Sequence, residues 1–237
     1  MKLEEHWNPR EIAGWISQPH QDWTVSTATI YTWLRTSRGD RYCDFLYSKR
    51  HRIKPRKSKT KRVLIPNRAG IEARPEFVSD RSIYGHYESD TIVSCRGGTG
   101  AILVLQERVS RCVYLWKLQN MKPAPCAGYL KEAGVSLGVQ SITFDNGIEN
   151  VYHEQIGIPT YFCDPYSSWQ KGGIENVNKM IRRYLPKGTD LVNVTQSDLD
   201  FIADRINKKP RVSLGFRSAY EVDALGRSGV LLGDRVS

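Results

Sequence analysis

Residues 164–190 read DPYSSWQKGGIENVNKMIRRYLPKGTD, and the rest of the chain is organised around them. The stretch opens as a loop. Asp164-Pro165, Ser167-Ser168 and Gly172-Gly173 favour turns through fixed φ, side-chain-to-backbone bonds and freedom at positive φ. A helix is expected from about Ile174 to Leu185, stopped by Pro186 and Gly188. Val177, Met180, Ile181 and Tyr184 recur at i, i+3, i+4 and i+7 and form one apolar stripe. Glu175, Asn178, Lys179 and Arg182 lie on another face, with Glu175 in the first turn, where the helix dipole favours a carboxylate. Taken alone, this is an amphipathic helix with a solvated charged face.

Two aspartates change that reading. Asp145 lies in SITFDNG, where Ile142 and Phe144 suggest a short buried strand and Asn146-Gly147 a turn. Asp90 lies in GHYESDTIVS, with Ile92 and Val93 beyond it. A strand-end aspartate is often only a turn residue. A carboxylate inside a strand is costly unless partnered, and a cation is one such partner.

In order along the chain, GHYESDTIV, TFDNG, DPYSSWQKGGIEN, YLPKGTD and NKKPRVSLGF resemble the transposases of the IS-thirty (IS30) insertion-sequence family, over about Trp7 to Val222. The resemblance implies a DDE enzyme with an RNase H-like core. It makes Asp90, Asp145 and Glu175 the catalytic triad, and Arg182 the basic residue the family carries along the helix from its glutamate. Family members usually carry a further N-terminal helix-turn-helix, which this sequence lacks room for.

The chain has 237 residues, a net charge of +10 and a pI near 9.4. That suits one sizeable domain plus a small one, and a polyanionic partner. Five cysteines without a CxxC pair read as reduced thiols of a cytoplasmic, nucleoid-associated protein. No apolar run is long enough to span a membrane.

Residues 1–45 form a small all-α segment in this reading. Asn8, Pro9 and Glu11 give a cap, a first helical residue and a capping box, followed by Ile12, Trp15 and Ile16. Val25 and Ser26 open a second helix, Thr27 to Arg35. The pair reads as a helix-turn-helix whose second helix presents Thr27, Thr29, Thr32 and Arg35 to DNA, or as a plain helical hairpin. Residues 46–80 form a linker. Its basic run KRHRIKPRKSKTKR, with Lys54, Arg56, Lys57 and Lys59, suits phosphate contact. Residues from Ile65 to Asp80 look extended, with little apolar content.

Residues 81–226 are expected to form the α/β core, a mixed five-stranded sheet with flanking helices, and 227–237 a tail. The strands are placed at Tyr87–Ser94, Ala101–Gln106, Arg111–Leu118, Ser141–Phe144 and Pro159–Phe162. Helices are placed at Cys126–Ala133, Ile174–Leu185 and Gln196–Asn207. The resemblance sets the Asp90 strand beside the Asp145 strand.

Three ionised carboxylates at one place repel unless cations neutralise them. Oxygen ligands select Mg²⁺ or Mn²⁺, and two ions roughly 3.5–4 Å apart can activate an attacking oxygen and stabilise a leaving one. The function implied is metal-dependent DNA cleavage and strand transfer on transposon terminal inverted repeats and target DNA, by a homo-oligomer on double-stranded DNA. The alternatives are a truncated, non-catalytic DNA-binding remnant and an RNase H-like hydrolytic nuclease. Asn178, Lys179 and Arg182 are expected to contact DNA. His86, four residues before Asp90, is expected to be structural.

Overall fold

A computed structural model describes residues 2–18, 23–46, 65–165 and 167–229. The chain separates into two compact units, Met1–Lys61 with Lys208–Ala219, and Arg62–Asn207 with Tyr220–Ser237.

In the first unit, α1 (Pro9–Ile16) starts on Asn8, whose side chain accepts from Arg10 N and Glu11 N while Glu11 bonds back to the Asn8 backbone. α2 (Thr27–Leu34) starts on Ser26, which accepts from Thr29 N. Neither helix is long enough to be stable alone. They share a core of Leu3, Trp7, Ile12, Ala13, Ile16, Ile30 and Leu34. Segment 208–219 joins this unit, although the sequence reading places it in the α/β core. Lys209 explains the difference: its buried ammonium lies 2.9 Å from Glu11 and donates to His6 O at 2.7 Å.

The second unit contains, in order, β1 (Ala69–Gly70), α3 (Glu76–Ser79), β2 (His86–Val93), β3 (Ala101–Glu107), β4 (Val113–Leu118), α4 (Pro123–Leu137), β5 (Ser141–Phe144), β6 (Thr160–Phe162), α5 (Gly172–Tyr184), α6 (Gln196–Asn207) and α7 (Ala219–Arg227). The sheet order is β1-β6-β5-β2-β3-β4. β2, β3 and β4 form an antiparallel meander, and β5, β6 and β1 add in parallel on the other side of β2. This is the RNase H-like arrangement.

Period-2 alternation builds two cores. From β3, Leu103 and Leu105 face α4 with Tyr87, Leu130, Ile142 and Phe144. Ile102 and Val104 face the opposite way, with Ile92, Ile174, Val177, Ile181, Leu199 and Ile202 of the α5–α6 layer. Glu88 and Asp90 share the strand face of Ile92, so they point toward α5.

The sheet has six strands where five are expected. The added strand, β1, lies in the segment read as an extended lead-in. A two-residue edge strand is held by backbone pairing to Tyr161 and Phe162, and so leaves no apolar alternation to read. β4 begins at Val113, not Arg111, because Arg111 has φ +62°, which no strand residue adopts. α4 is longer than expected at both ends. Pro123 and Pro125 fit its first turn, where an N–H is not needed, and Gly138 ends it at φ +65°. α5 begins at Gly172. At Gly173 a Cβ would sit 3.0 Å from both Glu88 Oε2 and Gln106 Oε1, so the close approach of this helix to the sheet favours a glycine. α7 has no counterpart among the expected helices. Asp223 anchors it by accepting from Tyr84, Ser110, Tyr114 and Arg227.

Candidate active site

Two parallel neighbours set the geometry. β2 and β5 pair as His86↔Ser141, Tyr87↔Ile142 and Glu88↔Thr143. Continued two residues further, the same offset puts Asp90 level with Asp145, just beyond the carboxyl end of β5. A cation lies between them. Lys171 Nζ is 3.8 Å from Asp90 Oδ1 and 3.9 Å from Asp145 Oδ2, and it donates to Ser89 O at 2.9 Å.

Asp90 is held on both oxygens. Oδ1 accepts from Thr91 N at 2.9 Å, and Oδ2 from Asn178 Nδ2 at 2.6 Å. Burial pushes its pKa above the ordinary carboxylate value. Lys171 works against that shift, Asp145 adds to it, and the bonds from Thr91 and Asn178 oppose it. Asp145 is oriented by its own turn, where Oδ1 accepts from Gly147 N and Asn150 Nδ2, both at 3.2 Å.

α5 carries Glu175. Asn178 touches Asp90, and Glu175 lies one turn ahead of it on the same side of the helix. The start of α5 is fixed by Glu88, which is fully buried. Its Oε2 accepts from Ile174 N at 3.1 Å and its Oε1 pairs with Arg108. A carboxylate at a helix N-terminus is favoured by the dipole and by the unsatisfied N–H groups there. Glu88 thereby pins the helix carrying Glu175 to the strand carrying Asp90.

Among the described residues, no group of three His, Cys, Asp or Glu side chains is gathered tightly enough to hold a metal. Three like charges have reason to stay apart, and the single ammonium serves only two of them. The chemistry of the site nonetheless suits a hard divalent ion. Its donors are carboxylate oxygens, a cation already sits between two of them, and the buried Asn178 Oδ1 beside Asp90 has no hydrogen-bond partner among the described residues.

Two curated proteins are similar to the chain over nearly all of its length. The transposase for insertion sequence element IS1086 of Cupriavidus metallidurans is 38% identical over 236 residues, covering 93% of this chain and 69% of that protein. Transposase InsI for insertion sequence element IS30C of Escherichia coli K12 is 32% identical over 239 residues, covering 93% of this chain and 62% of that one. The chain belongs to the IS30 family of insertion-sequence transposases. No protein-family model matches. A solved structure, the catalytic core domain of BIV integrase, is similar with a TM-score of 0.47 and 19% identity, over 61% of this chain and 97% of that chain.

In this IS30-family chain the fold brings Asp90 and Asp145 together and sets Glu175 on the facing helix. Asn178, expected at DNA, is turned onto Asp90. Arg182, also expected there, spends its guanidinium on backbone carbonyls: Leu185 and Pro186 at 3.4 Å and Val93 at 3.2 Å. Lys179 is exposed. On α2, Thr29 and Arg35 are exposed and Thr27 is half-buried, and the Thr29 hydroxyl shares a bond with Ser26. Lys54, Arg56, Lys57 and Lys59 lie outside the described residues. His86 is structural, its Nδ1 2.7 Å from Ser141 Oγ. No helix among the described residues is long and apolar enough to cross a membrane.

Sequence reasoning missed Lys171, Glu88 and Glu149. Glu149 is buried, and burial raises its pKa, with the charges of Asp145 and Asp90 adding to the shift. Two signals were available. Glu88 is two residues before Asp90 and so shares its strand face, and Lys171 directly precedes the Gly172-Gly173 pair that opens α5.

Proposed function

We propose that the chain is a DDE polynucleotidyl transferase that cuts and joins double-stranded DNA at the ends of an insertion sequence. One observation carries this reading. Asp90 and Asp145 lie level on adjacent parallel strands with a cation between them, facing the helix that carries Glu175. These three carboxylates are the residues that would hold two Mg²⁺ or Mn²⁺ ions. Bound there, the ions would supply Lewis-acid stabilisation of the attacking and leaving oxygens of a phosphodiester.

The remaining work belongs to the side chains. Asn178 fixes the rotamer of Asp90, and the Asn146-Gly147 turn with Asn150 fixes that of Asp145. Glu88 sets the depth of α5 and with it the reach of Glu175. Lys179, exposed one turn beyond Glu175, would meet a backbone phosphate. Thr27, Thr29 and Arg35 of α2 would read the transposon end, and Lys54, Arg56, Lys57 and Lys59 would add sequence-independent affinity. Copies of the chain assembled on DNA would bring the two ends together.

The test is a strand-transfer assay with labelled terminal repeats, target DNA and Mg²⁺. Joined products support the reading. Nicking without joining would make the chain a nuclease, and end binding with neither reaction would make it a DNA-binding protein.

A further inference from the structure

Lys171 is buried, with 6% of its surface exposed. A buried lysine is costly unless it is paired. Among the described residues its one short contact is to a carbonyl, Ser89 O at 2.9 Å, which holds it in place without neutralising it. The charge is met by Asp90 and Asp145 at 3.8 and 3.9 Å. Those distances exceed a hydrogen bond, so the interaction is charge with charge, shared between two carboxylates that would otherwise repel each other. The position is built: Lys171 ends a 3₁₀ turn (Ser168–Lys171) that runs directly into α5, so both backbone and side chain are fixed.

We propose that Lys171 is the resident counter-cation of the Asp90–Asp145 pair, holding the carboxylates in register and competing with a divalent ion for them. This rests on reading the pair as metal-holding residues. A fixed positive charge beside both carboxylates supports their ionised form while no metal is bound. It also subtracts from the attraction an incoming divalent ion feels. Its removal therefore has two opposite effects, a less stable metal-free chain and tighter metal binding. A lysine that served packing alone would produce only the first.

Mn²⁺ is titrated calorimetrically into the full chain as wild type, Lys171→Gln, Lys171→Arg and Lys131→Gln, and melting is followed with and without Mn²⁺. Lys171→Gln is expected to bind Mn²⁺ roughly tenfold or more tightly than wild type, the scale of one partly buried charge at about 4 Å. Lys171→Arg should keep the wild-type affinity, and Lys131→Gln, which removes an exposed charge on α4, should change it by less than about twofold. Lys171→Gln should melt lower than wild type in chelator and gain more from Mn²⁺. Equal or weaker binding by Lys171→Gln overturns the proposal, as does a lowered melting temperature that Mn²⁺ does not restore. If no protein in the series binds Mn²⁺, the metal-holding reading of Asp90 and Asp145 falls, and the role of Lys171 falls with it.

Discussion

Asp90 is pulled in two directions. Burial and Asp145 oppose its ionisation, while Lys171, Thr91 N and Asn178 favour it. Such an environment suits a carboxylate whose charge is completed by a bound ion. Asp90→Asn, Asp145→Asn and Glu175→Gln preserve shape and remove one ligand charge each. Each is expected to lower Mg²⁺-dependent nicking by on the order of 10²–10³ or more, with DNA binding nearly intact. Nicking at the wild-type rate in any one of them removes that residue from the triad. His86 provides a separate test of the residues behind the site. Burial lowers its pKa, and Arg108 and Arg74 lower it further, while its buried Nε2 has no hydrogen-bond partner among the described residues. Below about pH 6.5 the unfolded chain therefore binds more protons at this residue than the folded chain does. Its contribution is present above that pH and lost as pH falls. In melting curves from pH 7.5 to 5.5, the wild type's advantage over His86→Leu should shrink with falling pH. A constant gap would show that His86 does not titrate differently on folding.

At the scale of elements, α5 is held at both ends, by Glu88 at its start and Arg182 at its finish. Arg182 joins the carbonyls of Leu185 and Pro186, just past the end of the helix, to Val93 O at the end of β2. A cation at a helix C-terminus is favourable, and several hydrogen bonds at 3.2–3.4 Å are worth about 1–2 kcal/mol together. Arg182→Ala should therefore lower the melting temperature while nicking per folded molecule stays within a few-fold of wild type. Loss of activity with an unchanged melting curve would return Arg182 to a DNA-gripping role. This end of the helix also shows what a sequence can reveal. Periodicity located α5, α6 and the alternating strands, because each buries one face against one layer. The ordered motifs singled out Asp90, Asp145 and Glu175 as candidates, and the fold sets the first two on neighbouring strands. The partners of those residues were hidden because they are set by packing between distant segments. Lys171 meets Asp90 across 81 positions of chain, and Glu88 meets Ile174 across 86. Neither pairing leaves a period. β1 was hidden for a related reason, since backbone pairing alone carries no side-chain pattern.

For the molecule as a whole, two kinds of DNA contact are expected, and they should respond differently to salt and sequence. The net charge of +10 is uneven along the chain: residues 49–62 read KRHRIKPRKSKTKR, without an acidic residue. Basic side chains on phosphates release counterions and carry no sequence information. Residues on an exposed helix face, such as Arg35 of α2, would instead discriminate between base pairs. Neutralising Lys54, Arg56, Lys57 and Lys59 together should weaken binding to terminal-repeat and unrelated DNA by the same factor. It should also flatten the slope of log K against log salt by up to roughly 3–4, about 0.9 for each phosphate no longer neutralised. Arg35→Ala should weaken terminal-repeat binding more than binding to unrelated DNA. Both slopes come from one set of fluorescence-anisotropy titrations at several salt concentrations. An unchanged slope in the quadruple variant would mean that the basic run is only solvated, and the phosphate-binding groups would then have to be sought on the core, beginning with Lys179.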